Sequence, residues 1–149
     1  MLLGQHILAS GITGIVFAKL TNSWPGTIAC FLSGILIDLD HLLDYVINKK
    51  KMCWSVKKLE NFCAQKEDGK IYFFLHSYEL VAFLWLIVFC FKLNAIWLGI
   101  VFGMSIHLLI DQLANPIYPL TYFLFYRFKL GFPKSLFLNF DRNLAKTQK

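Results

Sequence analysis

Four ionisable side chains occur within one short apolar run in the first third of the sequence. The run reads Gly-Ile-Leu-Ile-Asp-Leu-Asp-His-Leu-Leu-Asp over residues 34–44, so it contains three carboxylates and one imidazole. If the run is helical, Asp38 and His41 share a face, and so do Asp40 and Asp44. Carboxylate oxygens and imidazole nitrogens are common ligands of divalent transition metals. The run therefore indicates a site with metal chemistry.

Each of the three other histidines lies in its own apolar segment. His6 lies near the N-terminus, His76 lies three residues before Glu79, and His107 lies four residues before Asp111. We expect Glu79 to be a general base or a further ligand, and Asp111 to be either a ligand or the group that orients His107. The predicted metal ligands are His6, Asp38, His41, His76, His107 and Asp111, and the predicted catalytic residues are Asp40 and Glu79.

The composition is that of an integral membrane protein. Hydrophobic residues make up 57% of the 149 residues and charged residues 16%, whereas soluble domains have about 45–50% and about 25%. The net charge of +6 does not indicate nucleic-acid binding, because the basic residues concentrate between and after the apolar runs. In such positions they report membrane orientation. The length predicts a single membrane domain over residues 1–149.

The apolar runs predict an all-α membrane protein with about four transmembrane helices in a bundle. A span needs about 20 apolar residues, and the predicted spans cover residues 1–20, 24–47, 71–91 and 95–114. In the fourth span, small and polar residues step by four along one face, which predicts close helix packing that leads into the site. The members of this row are Gly99, Gly103, His107 and Asp111.

Two polar segments complete the predicted fold. Residues 48–70 form a basic loop, with a short amphipathic helix at 56–62 that we expect to lie on an anionic membrane face. Residues 115–149 form an interfacial segment and tail. Within them, the aromatic run at 120–128 is too short to span and is predicted to be interfacial or re-entrant.

The distribution of basic residues predicts the orientation of the chain. Four spans place both termini and the basic loop on one side, together with all of the 15 basic residues except Lys19 and Lys92. The positive-inside rule makes that side cytoplasmic. At a rise of about 1.5 Å per residue, all four histidines then lie roughly 7–11 Å from the cytoplasmic boundary. A shared layer with one histidine from each helix favours a metal site over unrelated core histidines.

Four short motifs resemble those of a known family. They are His6, Ile37-Asp38-Leu39-Asp40-His41, Leu75-His76-Ser77 and His107-Leu108-Leu109-Ile110-Asp111. Together they resemble the YdjM-like predicted membrane-bound metal-dependent hydrolases, over the chain from His6 to about Pro133. The resemblance implies a small inner-membrane protein with a metal-dependent hydrolase activity. A His-Arg pair that the family often has shortly before its Thr-His-Ser is absent from this chain.

The residues and the resemblance together predict a hydrolase at the cytoplasmic face of the inner membrane. Metal-activated water would attack an ester or phosphoester of a lipid or another amphiphile. Nitrogen and oxygen ligands without thiolate favour one or two ions of Zn²⁺, with Mn²⁺ or Fe as alternatives. Lys70 or Arg127 could hold a phosphate, although basic residues at helix ends more often anchor the topology.

Two other functions stay open at this point. Intramembrane His and Asp residues also build ion paths and proton relays, so the chain could be an ion- or proton-handling protein. A metal could also serve stability alone in a structural membrane protein. A hydrolase needs an open coordination position, whereas a structural site does not.

Overall fold

The regular structure of the chain is helical. The computed structural model describes residues 3–64, 70–115, 117–118 and 120–137. In this part of the chain one isolated bridge, between Lys70 and Pro133, is the sole pairing of extended residues. The all-α prediction is therefore confirmed. The helices are α1 (Leu3–Thr21), α2 (Trp24–Leu36), α3 (Leu39–Lys49), α4 (Val56–Ala64), α5 (Tyr78–Cys90), α6 (Ala95–Ala114) and α7 (Leu124–Leu130), followed by a 3-10 turn at Lys134–Phe137.

Two helical stretches are long and apolar enough to cross a membrane. They are Trp24–Lys49, which comprises α2 and α3, and Ala95–Ala114, which is α6. Helix α1 has 19 residues but carries Gln5, His6 and Lys19. Helix α5 has 13 residues, which is about 20 Å of helix. By length and composition, the structure thus supports two of the four predicted spans, and the four-span bundle stays a prediction.

Helices α2 and α6 pack with their backbones almost in contact. A Cβ atom added at Gly99 would lie 2.1 Å from the carbonyl oxygen of Gly26, and one added at Gly103 would lie 2.2 Å from that of Cys30. Glycine allows this approach because it has no side chain beyond its hydrogen. The predicted row on α6 is confirmed as one inward face, since its four members are all buried: Gly99, Gly103, His107 and Asp111.

The turn between α1 and α2 follows its sequence signals. Ser23 is the N-cap of α2, and its side chain accepts a hydrogen bond from the main-chain N–H of Gly26. Pro25 occupies the first turn of the helix, where its missing N–H costs no hydrogen bond. Asn22 has a φ of 50°, which asparagine tolerates better than most residues. The capped turn fixes where α2 begins.

The predicted helix over residues 24–47 is interrupted at Ile37 and Asp38. There the N–H of Asp38 donates to the carbonyl oxygen of Ile35 at 3.1 Å, and the N–H of Asp40 donates to that of Ile37 at 3.2 Å. Each bond joins an N–H to the carbonyl oxygen three residues earlier, whereas the bonds of an α-helix join residues four apart. The chain therefore tightens into a 3-10 turn between α2 and α3. The prediction of one continuous helix is wrong at this turn.

Residues 70–77 are not helical, so the third predicted helix begins only at α5. The main-chain N–H of Tyr72 donates to Asp44 Oδ1 at 2.7 Å, and that of His76 donates to Asp40 Oδ2 at 2.9 Å. The helix prediction for this segment is wrong because carboxylates of α3 take the hydrogen bonds that a helix would make internally. Local periodicity carries no signal for such a distant partner.

The chain after α6 folds back beside residues 70–77. The N–H of Ile71 donates to the carbonyl oxygen of Phe132 at 3.0 Å, and the N–H of Tyr78 donates to that of Tyr122 at 3.0 Å. Helix α7 lies within this returning segment and has seven residues, which is too short to cross a membrane. Its length agrees with the predicted interfacial or re-entrant segment.

Helix α4 confirms the predicted amphipathic helix in the basic loop. Its Phe62 is buried, with the ring centroid 5.1 Å from that of Tyr45 on α3. Lys134 is also buried and donates from Nζ to the carbonyl oxygen of Phe62 at 3.0 Å. Lys57 and Lys58 on α4 are exposed. Phe62 therefore holds α4 against α3, while the two lysines of α4 face outward.

Candidate metal centre

All four histidines of the chain lie together in one cluster. The rings of His6 and His107 stack with centroids 4.5 Å apart. The ring of His76 lies 5.4 Å from that of His107 and 5.3 Å from that of His41. The four residues come from α1, α3, α6 and the segment 70–77. The structure thus brings together the histidines that the sequence placed in one layer, although His76 does not come from a helix.

Asp38 lies among three of these histidines. Its Oδ1 is 3.4 Å from His107 Nε2, 3.7 Å from His76 Nε2 and 3.7 Å from His41 Nε2. Ligands about 2.05 Å from a tetrahedral zinc ion would be roughly 3.3–3.4 Å from one another. The observed separations are slightly longer than that value. Asp38, His76 and His107 therefore form a group that could hold one small cation, whereas His41, a predicted ligand, belongs to no such group among the described residues.

Asp111 borders the same cluster on the side of α1. Its Oδ2 is 3.6 Å from His107 Nε2 and 3.8 Å from His76 Nε2, and its Oδ1 is 3.5 Å from His6 Nε2. Ligand atoms of His6, His107 and Asp111 lie within 4.8 Å of one another, as do those of Asp38, His76 and His107. The described residues thus form two metal-compatible groups that share His107.

Several inward-facing atoms of the cluster are buried without a hydrogen-bond partner. They are both carboxylate oxygens of Asp38, Nε2 of His76 and Nε2 of His107. Buried polar atoms are almost always hydrogen-bonded, so each exception needs a physical reason. A cation bound by one Asp38 oxygen and the two histidine nitrogens would give these side chains the partner that they lack. The donor set therefore fits a divalent metal.

The outward nitrogens of two histidines are held by other groups. Nδ1 of His107 lies 2.7 Å from the carbonyl oxygen of Gly34. Because a carbonyl oxygen can only accept, Nδ1 carries a proton, and in the neutral imidazole Nε2 then has the lone pair that a metal needs. In a continuous helix Gly34 would accept from the N–H of Asp38, which donates to Ile35 instead. The break between α2 and α3 therefore frees the carbonyl that orients His107.

Asp40 orients His76, as the carbonyl group of Gly34 orients His107. This fully buried carboxylate accepts from the main-chain N–H of His76 at 2.9 Å and lies 3.2 Å from Nδ1 of the same residue, both through Oδ2. A carboxylate behind a histidine fixes the ring orientation and raises the basicity of the ligand nitrogen. These contacts favour a positioning role for Asp40, and the predicted catalytic role stays a prediction.

Glu79 has partners outside the cluster. Its carboxylate accepts from the main-chain N–H groups of Leu124 and Phe125 at 2.8 and 3.0 Å, and from the hydroxyl of Ser77 at 2.9 Å. It belongs to neither metal-compatible group. The contacts favour a role in anchoring the start of α7 to the start of α5. The predicted role of Glu79 as base or ligand stays a prediction.

The cluster is open to the surroundings at His41 and Asp38. Their side chains are 27% and 14% exposed, whereas those of His6, His76, His107 and Asp111 are at most 7% exposed. Behind the cluster, between α1, α2 and α6, lies a cavity of about 10 Å³. That volume has room for about one water molecule. A small molecule would therefore approach from the side of His41.

Two further residues contribute to the site: Tyr122, which the sequence did not single out, and Arg127, which it offered as a phosphate ligand or a topology anchor. Tyr122 is buried, and its hydroxyl donates to Asp111 Oδ2 at 3.2 Å. Burial and the negative charge of Asp111 raise the pKa of Tyr122 well above its usual value, so the hydroxyl keeps its proton. No local pattern distinguishes Tyr122 from the other aromatic residues of its segment.

Arg127 is the second of these residues. Its guanidinium is fully buried and donates from Nη1 to the carbonyl oxygen of Phe73 and from Nη2 to that of His76, the latter at 2.8 Å. Burial lowers the pKa of Arg127, an effect that the carboxylates of Asp40 and Glu79 oppose. With two donors engaged inside the protein, Arg127 is neither a surface anchor nor a free phosphate ligand.

Comparisons with known proteins found no family model, no curated protein and no solved structure that matches this chain. The resemblance to the membrane-bound hydrolases thus depends on the four motifs alone. What the cluster can do chemically follows from its geometry.

Proposed function

We propose that this protein is a metal-dependent hydrolase embedded in the inner membrane, with its centre near the cytoplasmic face. The observation that carries the proposal is the set of buried, inward-facing ligand atoms without hydrogen-bond partners on Asp38, His76 and His107. The motif resemblance supports the same reaction class. The proposed substrate is an ester or phosphoester of a lipid or another amphiphile.

The distribution of polar and apolar side chains supports a membrane location. Large apolar side chains are exposed on the outer faces of α1, α5 and α6, whereas most ionisable residues of the cluster are buried between the helices. In water, so much exposed apolar surface would be unfavourable unless a partner or a lipid phase covered it. Intramembrane ionisable residues commonly face the interior of a bundle, as they do here.

The proposed topology has four crossings with both termini in the cytoplasm. Helices α2 and α3 together, and α6, supply two crossings, and α1 and α5 supply the other two. Helix α5 alone is short for a crossing, and the non-helical segment 70–77 precedes it inside the protein. Backbone that is not helical is tolerated at membrane depth only where protein or a cavity surrounds it. The buried Phe73, His76 and Ser77 of that segment meet this condition.

The residues of the chain have distinct tasks in the proposed reaction. Asp38, His76 and His107 would hold the metal, with Zn²⁺ the first choice for such ligands. A cation there would lower the pKa of a bound water and polarise the carbonyl or phosphoryl oxygen of a substrate. Three protein ligands leave a tetrahedral ion one open position. The exposure of His41 supports a substrate entry on its side of the cluster.

Asp111 and His6 form the second group together with His107, and they extend the site toward α1. Tyr122 and Asn115 both donate to the Asp111 carboxylate, at 3.2 and 3.0 Å, and so fix its orientation. The two groups share His107, whose Nε2 binds one cation at a time. The number of metal ions bound per protein therefore indicates which residues hold them. One equivalent of metal indicates a single ion in the shared cluster. Two equivalents indicate a second ion on His6 and Asp111.

The first test is the metal content of protein purified in detergent. We expect one or two equivalents of a transition metal in the wild type, measured by elemental analysis, and a loss of metal in His76→Ala and Asp38→Ala. Absence of metal in the wild type, even after incubation with Zn²⁺ or Mn²⁺, overturns the proposal. That result would bring proton or ion transfer forward as the function of the cluster.

Glu79→Gln provides the matched control for the activity. We expect this variant to keep its metal, because Glu79 belongs to neither metal-compatible group. A screen of lipid esters and phosphoesters then separates two roles. Hydrolysis that persists in Glu79→Gln supports the anchoring role, whereas hydrolysis lost with full metal content makes Glu79 the general base.

A further inference from the structure

The main chain of His76 is held by charged side chains on both sides. Asp40 on α3 accepts from its N–H, and Arg127 on α7 donates to its carbonyl oxygen at 2.8 Å. The ring is held as well, because its Nδ1 lies 3.2 Å from Asp40. A residue outside any helix thus has both main-chain groups and one ring nitrogen fixed by side chains.

Arg127 binds two carbonyl groups of the same segment. Its Nη1 and Nη2 reach the carbonyl oxygens of Phe73 and His76, which bracket a bend of the chain. A guanidinium is planar and has five donors in a fixed fork, so it can hold two acceptors at a set separation. A helix would satisfy these carbonyls internally, and here the arginine does so instead.

The environment of Arg127 leaves no room for a solvent-facing role. The side chain is fully buried, and the charges that favour its cationic form are those of Asp40 and Glu79. Glu79 in turn accepts from the first N–H groups of α7, the helix that contains Arg127. The charged groups that surround residues 70–77 therefore form a connected set between α3, α5 and α7.

We propose that Arg127 is a positioning residue for the metal centre, which sets the His76 imidazole by holding the carbonyl groups of Phe73 and His76. This inference rests on the proposed metal site. It assigns to the short helix α7 a role in positioning a metal ligand. Without Arg127, two buried carbonyls lose their donor and His76 loses one of its two main-chain anchors.

The test uses Co²⁺ as a spectroscopic substitute for Zn²⁺, titrated into the full-length apo protein in detergent. In Arg127→Gln we expect a 10- to 100-fold weaker Co²⁺ affinity, which is roughly the effect of removing a supporting partner behind a metal ligand. We also expect a changed visible absorption spectrum, because a displaced imidazole alters the ligand field. Circular dichroism and size-exclusion chromatography establish that the variant is folded.

Lys134→Met is the matched control. Lys134 is also a buried cation that donates to a main-chain carbonyl, in this case that of Phe62. His76 is not among its partners in the described hydrogen bonds and cation–ring contacts. We expect its Co²⁺ affinity and spectrum to equal those of the wild type. An equal change of affinity and spectrum in both variants would show that loss of any buried cation destabilises the site. That result would overturn the inference.

Arg127→Lys decides the question if Arg127→Gln does not fold. A lysine ammonium can serve one of the two carbonyls at most, so we expect an affinity between those of the wild type and a fully displaced site. Wild-type affinity and spectrum in a folded Arg127 variant overturn the inference and leave the metal site intact. A wild type that binds no Co²⁺ overturns the proposed function and the inference together.

Discussion

The α2–α6 contact and the metal centre are adjacent regions that achieve exact placement in opposite ways. Along the contact, Gly99 and Gly103 have no side chains, and backbone lies directly on backbone. One turn further along α6, His107 begins a region where charged side chains hold one another and the main chain. The comparison teaches that the α2–α6 contact depends on the absence of side chains at its glycines. The metal centre depends instead on hydrogen bonds and ionic contacts between residues distant in the chain.

The largest expected effect comes from adding one methyl group at the apolar contact. In Gly103→Ala, the new Cβ would lie 2.2 Å from the carbonyl oxygen of Cys30, so the helices must separate. We expect the free energy of unfolding to fall by about 3 kcal/mol, the upper end of typical overpacking costs. Thermal unfolding in detergent, followed by circular dichroism, measures it.

Gly11→Ala is the control for that experiment, since it is the same substitution in another helix. A Cβ atom at Gly11 has nothing within 4 Å. We expect no loss of stability, and a gain of up to about 1 kcal/mol from the better helix propensity of alanine. Equal destabilisation by the two substitutions would contradict the close α2–α6 contact.

Removal of metal should have the next largest effect, and it acts on the metal centre alone. A ligand present at 100 times its dissociation constant stabilises the folded state by about 2.7 kcal/mol. We therefore expect a chelator to lower the melting temperature of the metal-loaded wild type. The chelator should leave Asp38→Asn unchanged, because that variant lacks the central carboxylate. A similar shift in both proteins would mean that the chelator acts elsewhere.

Asp40→Asn tests the support behind His76. We expect a 10- to 100-fold weaker metal affinity, measured by competition with a chromophoric chelator, since supporting carboxylates have effects of about this size. Asp44→Asn is the matched control one helical turn away. Asp44 accepts from Tyr72 and Asn48 and contacts no histidine in the described hydrogen bonds. Its affinity should equal that of the wild type.

The smallest effect is expected at the far end of α2. Ser23→Ala removes the side-chain oxygen that accepts from the N–H of Gly26, and loss of such a cap costs about 1 kcal/mol. We expect this decrease in unfolding free energy with no change in metal affinity. A change in metal affinity would show that the two regions are coupled more closely than their separate contacts indicate.

The parts of the fold that were predictable from the sequence depend on short-range patterns. The cap at Ser23, the inward row on α6 and the amphipathic helix α4 each follow from residues within one or two turns of one another. The grouping of the histidines was predictable too. Helices have a fixed rise, so residues at equal heights along neighbouring helices can meet, and His76, just before α5, meets them as well.

The errors and omissions occur where hydrogen bonds join residues far apart in the chain. The predicted helix over 71–77 is replaced by bonds to Asp44 and Asp40, which lie 28 and 36 residues away from their partners. Arg127 reaches carbonyls 51 and 54 residues away. No window of local sequence contains both partners of such bonds, so periodicity alone predicted a helix there.

The sequence by itself determined the helical class, the tight face of α6 and the set of side chains able to bind a metal. These features depend on residue type and on the constant period of the helix. Only the tertiary structure decided which of these side chains meet, which nitrogen of His107 faces inward, and that Asp40 and Arg127 together fix His76. The physical reason is that a buried polar group takes whichever partner lies beside it in space, and the folded chain alone provides that partner.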